Sequence, residues 1–501
     1  MVASPGGPSI LNLFIALITA LVGALATAGC TGSGPGSGEP GETPVILVSW
    51  DTTRADRLNC YGYSARPVTP HLDALADDGI LFENHVSAAP WTPPAHASLL
   101  TSLWPSTHGV IGSFYEFRDD GRRPQAFNRL AESRTTLAEV LQAAGYATGA
   151  FTGGMTLDPH FGFDQGFETF RTTMFKLADQ NVGEMREWIE ERQNRPFFLF
   201  WHTFEAHAPY LGTAFLSEVL PEEEAQMLRG AVDRYAARLE RKVIGPAWFP
   251  EMLKRRRAYT RDVTEALYVG SIAEADRWLG LLVEDLRRRG LYERALLVVT
   301  SDHGEEFGDR SPEVFYDAHG GSLHREMVRV PLVVKLPGQK HGGTRVEAVT
   351  RAIDVMPTVL DVVSLSGPAE MQGESLRPLW EHDEPSHRVA HAEALQSRFE
   401  QKAIQSSDHK LIVQIDAGNV ARHGRAHVPA GLESRSLFEL SSDPNERVDL
   451  LASPARAGDE RLADALETAL REHIAAQTTD VERVEVRDEL LEQLRSLGYV
   501  E

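Results

Sequence analysis

The stretch PVILVSWD, residues 44–51, decides the fold: an apolar, largely β-branched run of strand length stops abruptly at an acid. RALLVVTSDHGEE at 294–306 repeats the pattern, and further apolar runs occur in PFFLFWHTFEAH at 196–207 and VPLVVKLPG at 330–338. Helical patterns such as LDALADDG, TLAEVLQAAGY and ADRWLGLLVEDLRRRG lie between these runs. Apolar strands that alternate with helices predict an α/β domain whose central, mostly parallel sheet carries helices on both faces.

The strand and helix patterns divide the chain of 501 residues into several segments. We expect the α/β domain to span residues 44–385, with a highly charged helical insertion on its surface at about 211–265. Beyond it, short strands such as HKLIVQID and RSLFELSSDP replace the long apolar ones. Residues 386–501 are therefore predicted to form a smaller C-terminal α+β subdomain, with a helical tail from 455 onward.

The N-terminal segment, residues 1–30, has the form of a secretory signal. Residues 10–28 are apolar and end in small residues, and the AGC that closes at Cys30 resembles a bacterial lipoprotein cleavage site. The alternative is a single uncleaved membrane anchor. On either interpretation the protein is exported and membrane-anchored, on the periplasmic face or the cell surface, with residues 31–43 as a flexible linker.

The net charge limits the partners. A formal charge of −22 repels nucleic acid and anionic membrane surfaces at long range. We therefore expect no nucleic-acid partner and a membrane contact only through the N-terminal segment. A small anionic substrate requires local attraction, from a metal or from a few basic groups.

Polar side chains directly follow two of the predicted strands. Asp51 follows VILVSW, and Asp302 and His303 follow LLVVTS. Alone, each acid has a simpler interpretation as the cap of the next helix. The carboxyl ends of parallel strands meet at one sheet edge, however, and two carboxylates with an imidazole there require a counterion. The pattern is consistent with a divalent cation bound by these three side chains.

Thr92 begins TPPAHASLL, which has the form of a helix start with Pro93 in the first helical position. Its simplest interpretation is the N-cap of that helix. A hydroxyl at a helix N-terminus also lies in a positive field that favours its alkoxide, and helix amides there can hold the oxygens of an anionic ester. Thr92 is therefore a candidate nucleophile as well.

Three further polar residues are candidates for the site. His207, in FEAHAPY, lies just beyond a predicted strand, and Glu205 could orient it or bind a second metal. His319 is followed by two glycines, which leave room for a ligand to approach.

Ten stretches occur in the order found in one known family. They are VILVSWDTTRADRLNCYGY, TPHLDALADDGILFENHVS, PAHASLLTSLWPSTHGV, GYATGAFTGG, FGFDQGF, FFLFWHTFEAHAPY, SDHGEEFGD, HGGSLHREMVRVPLVVKLPG, DVMPTVLD and DPNERVDL. The chain resembles the sulfatase family within the alkaline phosphatase superfamily, and this resemblance covers most of residues 44–385. It implies an alkaline-phosphatase-like fold and a metal bound by Asp51, Asp302 and His303. Thr92 would lie between metal and substrate, and His207 and His319 near the leaving group or the transferred oxygens.

The chain also departs from the family pattern. Sulfatases carry C-x-P-x-R or S-x-P-x-R, whose first residue is oxidised to formylglycine, whereas this chain has Thr92 there and His96 in place of the arginine. Oxidation of a threonine would not give an aldehyde. The Lys and His that usually follow GY-x-T are missing, and Trp50 replaces the first acid of the family's Asp pair. We place His96 and Glu205 as candidate substrate contacts.

These observations predict a metal-dependent hydrolase of phosphate or phosphonate esters that attacks through Thr92, with sulfate esters as slower substrates. Three alternatives stay open: a sulfuric ester hydrolase, a transferase of phosphoryl headgroups, and an inactive member that binds an anionic glycan or lipid headgroup. Zn²⁺, Mn²⁺ and Ca²⁺ all suit a site of two aspartates, a histidine and a threonine oxygen.

Overall fold

The computed structural model describes residues 42–111, 126–173, 178–240, 260–310, 317–382, 387–396, 399–416, 432–452, 454–477, 481–485 and 490. The predicted signal at 1–30 with Cys30 and nearly all of the linker lie outside these residues. None of the helices in the described ranges combines the length and the apolar character needed to cross a membrane.

A nine-stranded mixed sheet forms the centre of the molecule, in the order β10-β2-β11-β7-β1-β6-β4-β5 with β12 on β2. Its strands are β1 (Val45–Trp50), β2 (Ile80–Val86), β4 (Ala147–Gly153), β5 (Thr169–Thr173), β6 (Phe197–Thr203), β7 (Leu296–Ser301), β10 (Arg329–Val330), β11 (Leu332–Lys335) and β12 (Thr344–Arg351). Strands β7, β1, β6, β4 and β5 run parallel, whereas β11 is antiparallel to both β7 and β2. The predicted mostly parallel sheet is confirmed.

Helices cover both faces of this sheet, and every side chain of its central strands is therefore buried. Along β1, Val45 and Leu47 belong to one hydrophobic cluster, and Ile46, Val48 and Trp50 belong to the other. The helices of the described ranges are α1 (Pro70–Asp77), α2 (Thr92–Thr101), α3 (Pro105–His108), α4 (Leu137–Ala143), α5 (Ala178–Arg192), α6 (Leu216–Val219), α7 (Glu222–Glu240), α8 (Arg261–Arg288), α9 (Arg325–Val328), α10 (Val355–Val362), α11 (Arg377–Glu381) and α12 (Ala457–Ala475). Short 3-10 turns lie at Ala55–Arg57, Asn59–Tyr61, Pro159–Phe161, Pro337–Gln339 and Ala352–Asp354.

The segment predicted as a surface insertion at 211–265 contains α6, α7 and the first turn of α8. Val263 and Thr264 of that turn are buried, and the surface insertion with its bounds stays a prediction. Residues 241–259 lie outside the described ranges.

The C-terminal part contains a four-stranded antiparallel sheet of β13 (Ala390–Gln396), β14 (Phe399–Gln405), β15 (His409–Asp416) and β16 (Leu432–Glu439). One face packs on α12 through a cluster that includes Leu411, Leu437 and Leu470. The predicted small α+β element is confirmed as a sheet with a helix. Its position as a separate subdomain at 386–501 stays a prediction.

Two short pairs of strands complete the described secondary structure. They are β3 (Ala126–Arg129) with β17 (Glu482–Glu485), and β8 (Glu306–Phe307) with β9 (Asp317–Ala318). The prediction of a wholly helical tail after 455 is wrong at β17. Its four residues, ERVE, are extended because their backbone groups pair with β3.

One close approach holds the loop after β6 against α8. A Cβ on Gly212 would lie 1.9 Å from the carbonyl carbon of Gly270, so only two glycines permit this contact. The hydroxyl of Ser271 accepts hydrogen bonds from the amides of Leu211 and Gly212, at 3.1 and 2.9 Å. This contact fixes the start of the segment that follows the predicted site residue His207.

Candidate active site

The carboxyl ends of β1 and β7 lie side by side, and they bring Asp51, Asp302 and His303 together as the sequence predicted. One ligand atom from each of the three lies within 4.8 Å of the other two, and all three residues are buried. The backbone N–H of Asp51 bonds to Thr203 O at the end of β6. The parallel register of the three strands therefore fixes the group.

The imidazole of His303 has one defined orientation. Its Nδ1 lies 2.9 Å from Gly304 O, which fixes the proton on Nδ1 and leaves the lone pair on Nε2. That Nε2 lies 3.6 Å from Asp51 Oδ1, 3.4 Å from Asp302 Oδ2 and 3.3 Å from the hydroxyl of Thr92. Burial holds the pKa of His303 well below its usual range.

Asp302 uses its two carboxylate oxygens differently. Oδ1 accepts hydrogen bonds from the amides of Thr52 and His303, at 3.2 and 2.8 Å. Oδ2 is buried and has no hydrogen-bond partner among the described residues. Such an oxygen facing an imidazole lone pair is costly without a cation. The carboxylates and imidazole of this group thus fit a divalent metal ion.

Thr92 begins α2 and points its hydroxyl into the same group. The helix starts one residue earlier than the cap interpretation requires: Trp91 is the N-cap, and Thr92 occupies the first helical position. The side chain of Trp91 makes no capping bond, and the Thr92 hydroxyl is directed at His303. The cap interpretation is therefore wrong, whereas the role as nucleophile stays a prediction.

The expectation that amides of this helix hold ester oxygens is wrong at positions 93–95. Pro93 and Pro94 have no N–H, and the Ala95 N–H bonds to Trp91 O at 3.3 Å. The helix can still attract an anion through the amide of Thr92 and through the positive end of its aligned peptide dipoles.

His96 lies one turn along α2 and is fully buried beneath Thr92. Its Nδ1 is 3.0 Å from Thr92 O, and its Nε2 is 2.9 Å from the hydroxyl of Ser49. Burial lowers its pKa to about 3, so the ring is neutral. Both ring nitrogens thus have partners within the protein. A direct contact between His96 and a substrate is not tested by this geometry and stays a prediction.

His207 and His319 lie on the other side of His303. The ring centroids of His303 and His319 are 4.7 Å apart, and those of His319 and His207 are 4.9 Å apart. His207 stacks on Phe204 at 4.0 Å, and its Nδ1 lies 2.6 Å from Ala208 O. The predicted catalytic histidines thus adjoin the predicted metal ligands. Glu205, the other predicted substrate contact, is buried two residues before His207.

Glu305 lies behind His319 and was not among the residues predicted for the site. The Nδ1–H of His319 donates to Glu305 Oε1 at 3.1 Å, and the Tyr210 hydroxyl donates to Oε2 at 2.9 Å. Burial by itself would lower the pKa of His319, but the Glu305 carboxylate, together with Asp51 and Asp302, outweighs burial and raises it. The signal was visible as the acid two residues after His303 in SDHGEE, but its partner lies 14 residues away.

His202 was also missed. It occupies β6 opposite Ser49 of β1, is fully buried, and places Nε2 at 3.2 Å from Asp51 Oδ2. Burial lowers its pKa to about 4. A histidine inside the apolar run FFLFWHT was the available signal.

Comparisons with known proteins agree with this architecture. The family model described as Sulfatase matches residues 43–365, and a model described as the C-terminal region of N-sulphoglucosamine sulphohydrolase matches residues 315–476. An ulvan-active sulfatase of Formosa agariphila is 28% identical over 373 residues, which are 69% of this chain and 66% of that protein. A multifunctional alkaline phosphatase superfamily protein of Trinickia caryophylli is 26% identical over 504 residues, which cover 82% of this chain and 92% of that protein.

Solved structures share the fold at lower identity. The phosphonate monoester hydrolase of Agrobacterium radiobacter superposes with a TM-score of 0.62 at 21% identity, over 89% of this chain and 100% of its own. A protein solved with its substrate D-glucosamine-2-N,6-O-disulfate gives a TM-score of 0.64 at 18% identity, over 87% of this chain and 98% of its own. Because the family model spans more than half of the chain and the fold agrees, this protein belongs to the sulfatase family of the alkaline phosphatase superfamily and is a hydrolase of ester bonds.

Proposed function

We propose that this chain is a metal-dependent hydrolase of phosphate and phosphonate esters that attacks its substrate through Thr92. The observation that carries the proposal is the position of the Thr92 hydroxyl, 3.3 Å from His303 Nε2 at the first residue of α2. In this position the Thr92 hydroxyl lies beside the side chains that could bind a cation, and it does not cap the helix. Zn²⁺, Mn²⁺ and Ca²⁺ are the candidate ions.

The residues support a two-step displacement. Thr92 Oγ1 forms a bond to phosphorus while the leaving oxygen departs, and water then breaks the phosphothreonine ester and regenerates the hydroxyl. When bound to Asp51, Asp302 and His303, the divalent ion would supply charge stabilisation for the ester oxygens and favour the ionised hydroxyl. His96 holds the carbonyl of Thr92 from below, and so fixes the direction of attack.

His319 is the better of the two candidate acids for the leaving group. Its Nδ1–H is held by Glu305, so its Nε2 is the atom that can carry and donate a proton. The raised pKa keeps more of this imidazole protonated near neutral pH than an isolated histidine would be. His207 has its Nδ1 turned to Ala208 O and stacks on Phe204, which suits it to line the substrate pocket.

A sulfuric ester hydrolase is the second candidate, because relatives such as the ulvan-active sulfatase of Formosa agariphila carry that name. Threonine cannot be oxidised to the aldehyde whose hydrated diol attacks sulfate esters in the family. Hydrolysis of a sulfate ester by this chain would therefore need direct attack by the Thr92 hydroxyl. The likeness to a phosphonate monoester hydrolase is one of fold alone, yet it shows that this architecture serves phosphorus esters.

A substrate screen separates the two candidates. Purified protein would be assayed with matched aryl esters of phosphate, phosphonate and sulfate and with a phosphodiester, each with Zn²⁺, Mn²⁺ or Ca²⁺. We expect the highest kcat/KM on a phosphorus ester and no turnover in chelator. A higher kcat/KM on the sulfate ester would favour the second candidate. Product that carries phosphate on an acceptor alcohol would indicate a transferase.

We further propose that the enzyme is exported and tethered to the membrane by its N-terminal segment, so that it meets a small anionic ester or a glycan or lipid headgroup outside the cytoplasm. The support is the apolar stretch 10–28 and the AGC at 28–30. Mass spectrometry of protein from native membranes should find a mature chain that starts at lipid-modified Cys30. An intact N-terminus would instead favour an uncleaved anchor.

A further inference from the structure

His202 repeats the arrangement that makes His303 suited to bind a metal. Its Nδ1 lies 2.9 Å from Gly153 O, just as Nδ1 of His303 lies 2.9 Å from Gly304 O. A carbonyl can only accept, so the proton is on Nδ1 and the lone pair of His202 is on Nε2. In both residues the backbone thus fixes the tautomer that presents Nε2 to the carboxylates.

The lone pair of His202 faces an acceptor. Its Nε2 lies 3.2 Å from Asp51 Oδ2, is buried, and has no hydrogen-bond partner among the described residues. A lone pair and a carboxylate oxygen at this distance, away from water, repel each other unless a proton or a metal cation lies between them.

The distance itself suits two ligands of one ion. Two atoms about 2.0–2.2 Å from the same ion, with an angle of about 90–110° between them at the ion, are roughly 2.8–3.6 Å apart. The separations of 3.2 Å for His202 Nε2 and Asp51 Oδ2, and of 3.4 Å for His303 Nε2 and Asp302 Oδ2, fall in this range. Asp51 turns Oδ1 towards His303 and Oδ2 towards His202, and so lies between two imidazoles.

His96 is the other buried histidine close to Asp302, and its hydrogen bonds exclude it from the same role. Its Nδ1 is committed to Thr92 O and its Nε2 to the Ser49 hydroxyl. A neutral ring with one donor and one acceptor is satisfied by these two partners. His202 differs because only one of its nitrogens has a hydrogen-bond partner in the described part of the chain.

We propose that His202 Nε2 is a further protein ligand of the metal ion held by Asp51, so that the site binds its ion through two imidazoles. This chain has Trp50 before Asp51, and Trp50 is fully buried with no oxygen to contribute. His202, on the neighbouring strand β6, would supply the ligand that the side chain of Trp50 on β1 cannot supply. The inference rests on the metal dependence proposed above, but it does not depend on which ester is cleaved.

The number of bound imidazoles can be counted without an activity assay. The full chain would be loaded with Cu²⁺, and the nitrogen couplings of coordinated imidazoles would be measured by pulsed electron paramagnetic resonance. We expect two coupled imidazoles in the wild type, one in His202→Gln, and two in the matched control His96→Gln. Competition with a chelator should show at least about a tenfold loss of Zn²⁺ affinity in His202→Gln.

Each result decides a separate point. One imidazole in the wild type would overturn the inference and would leave His202 as a hydrogen-bonding partner of Asp51, with the proposed function intact. Failure of the wild type to bind any ion would overturn both. Because the wild-type count needs no substitution, a count of one overturns the inference even if His202→Gln does not fold.

Discussion

The Thr92→Ala substitution separates catalysis from stability at one side chain. The hydroxyl makes no capping bond, and its partner among the described hydrogen bonds is His303 Nε2 at 3.3 Å. Removing this long contact and one buried methyl group should lower the free energy of unfolding by about 1 kcal/mol or less. In a protein of this size that is a fall in Tm of about 2 °C or less.

The effect on turnover should be much larger. If Thr92 forms the bond to phosphorus, its loss should reduce kcat by at least about 10³-fold, which corresponds to about 4 kcal/mol in the activation barrier. Thr92→Ser keeps a hydroxyl in the same place and should retain part of the activity. Wild-type enzyme quenched in acid during turnover should carry a phosphate on Thr92, which peptide mass spectrometry can locate.

Thr101 offers a matched control within the same helix. It is the last residue of α2, it is fully buried, and its hydroxyl donates to Ala97 O at 2.6 Å. Thr101→Ala should lower stability at least as much as Thr92→Ala and leave kcat within a few-fold of the wild type. A Thr92→Ala enzyme that turns over at nearly the wild-type rate would refute the reasoning, because no chemical step could then pass through this hydroxyl.

Further predictions concern the metal, the acid and the stability of the fold. Asp302→Asn removes one carboxylate charge and should abolish turnover at saturating wild-type metal concentrations, with a matching loss of bound ion measured by elemental analysis. Glu305→Gln should lower the pKa of His319, so the decline of activity at high pH should begin at lower pH than in the wild type; an unshifted profile would exclude His319 as the acid. Burial would raise the pKa of Glu446, but Lys410, 2.8 Å away, and other partners lower it to about 2. The ionised Glu446 therefore contributes up to about 3 kcal/mol to the free energy of unfolding above about pH 4.5, and this contribution is lost as the pH falls towards 2. Urea unfolding at pH 7 should show Glu446→Gln destabilised by about 3 kcal/mol or more, because Lys410 is left buried without its partner, and a much flatter acid dependence.

The parts of the fold that the sequence predicted are those where burial acts on every residue of an element. Strands β1 and β7 were recognisable because both faces of the central strands are covered, which selects unbroken apolar runs. Strand β17 was not, because ERVE carries no hydrophobic period and is extended only through its pairing with β3. The antiparallel direction of β11 could not be predicted either, because a run of apolar residues does not indicate the direction in which the strand runs relative to its neighbours.

The site divides in the same way. Asp51, Asp302 and His303 could be predicted because each follows a strand, and parallel strands bring their carboxyl ends to one edge. His202 and Glu305 could not be assigned roles, because the roles proposed for them depend on contacts with Asp51 and His319, which are distant in the sequence. The predicted helix start was one residue too late, because the Ala95 N–H bonds to Trp91 O and so makes Trp91 the N-cap.

The contact between Gly212 and Gly270 sets a rule for laboratory evolution of this enzyme. Libraries that aim to change substrate range would randomise the segment after His207, which lies beside the histidines of the site. Any side chain at Gly212 would push that segment off α8, because its Cβ would overlap the backbone of Gly270 and Ser271. Most members of such a library would therefore lose activity for a reason unrelated to recognition. Keeping both glycines fixed, together with the buried Tyr210 that holds Glu305, would remove these inactive members, so that the surviving diversity reports on the substrate.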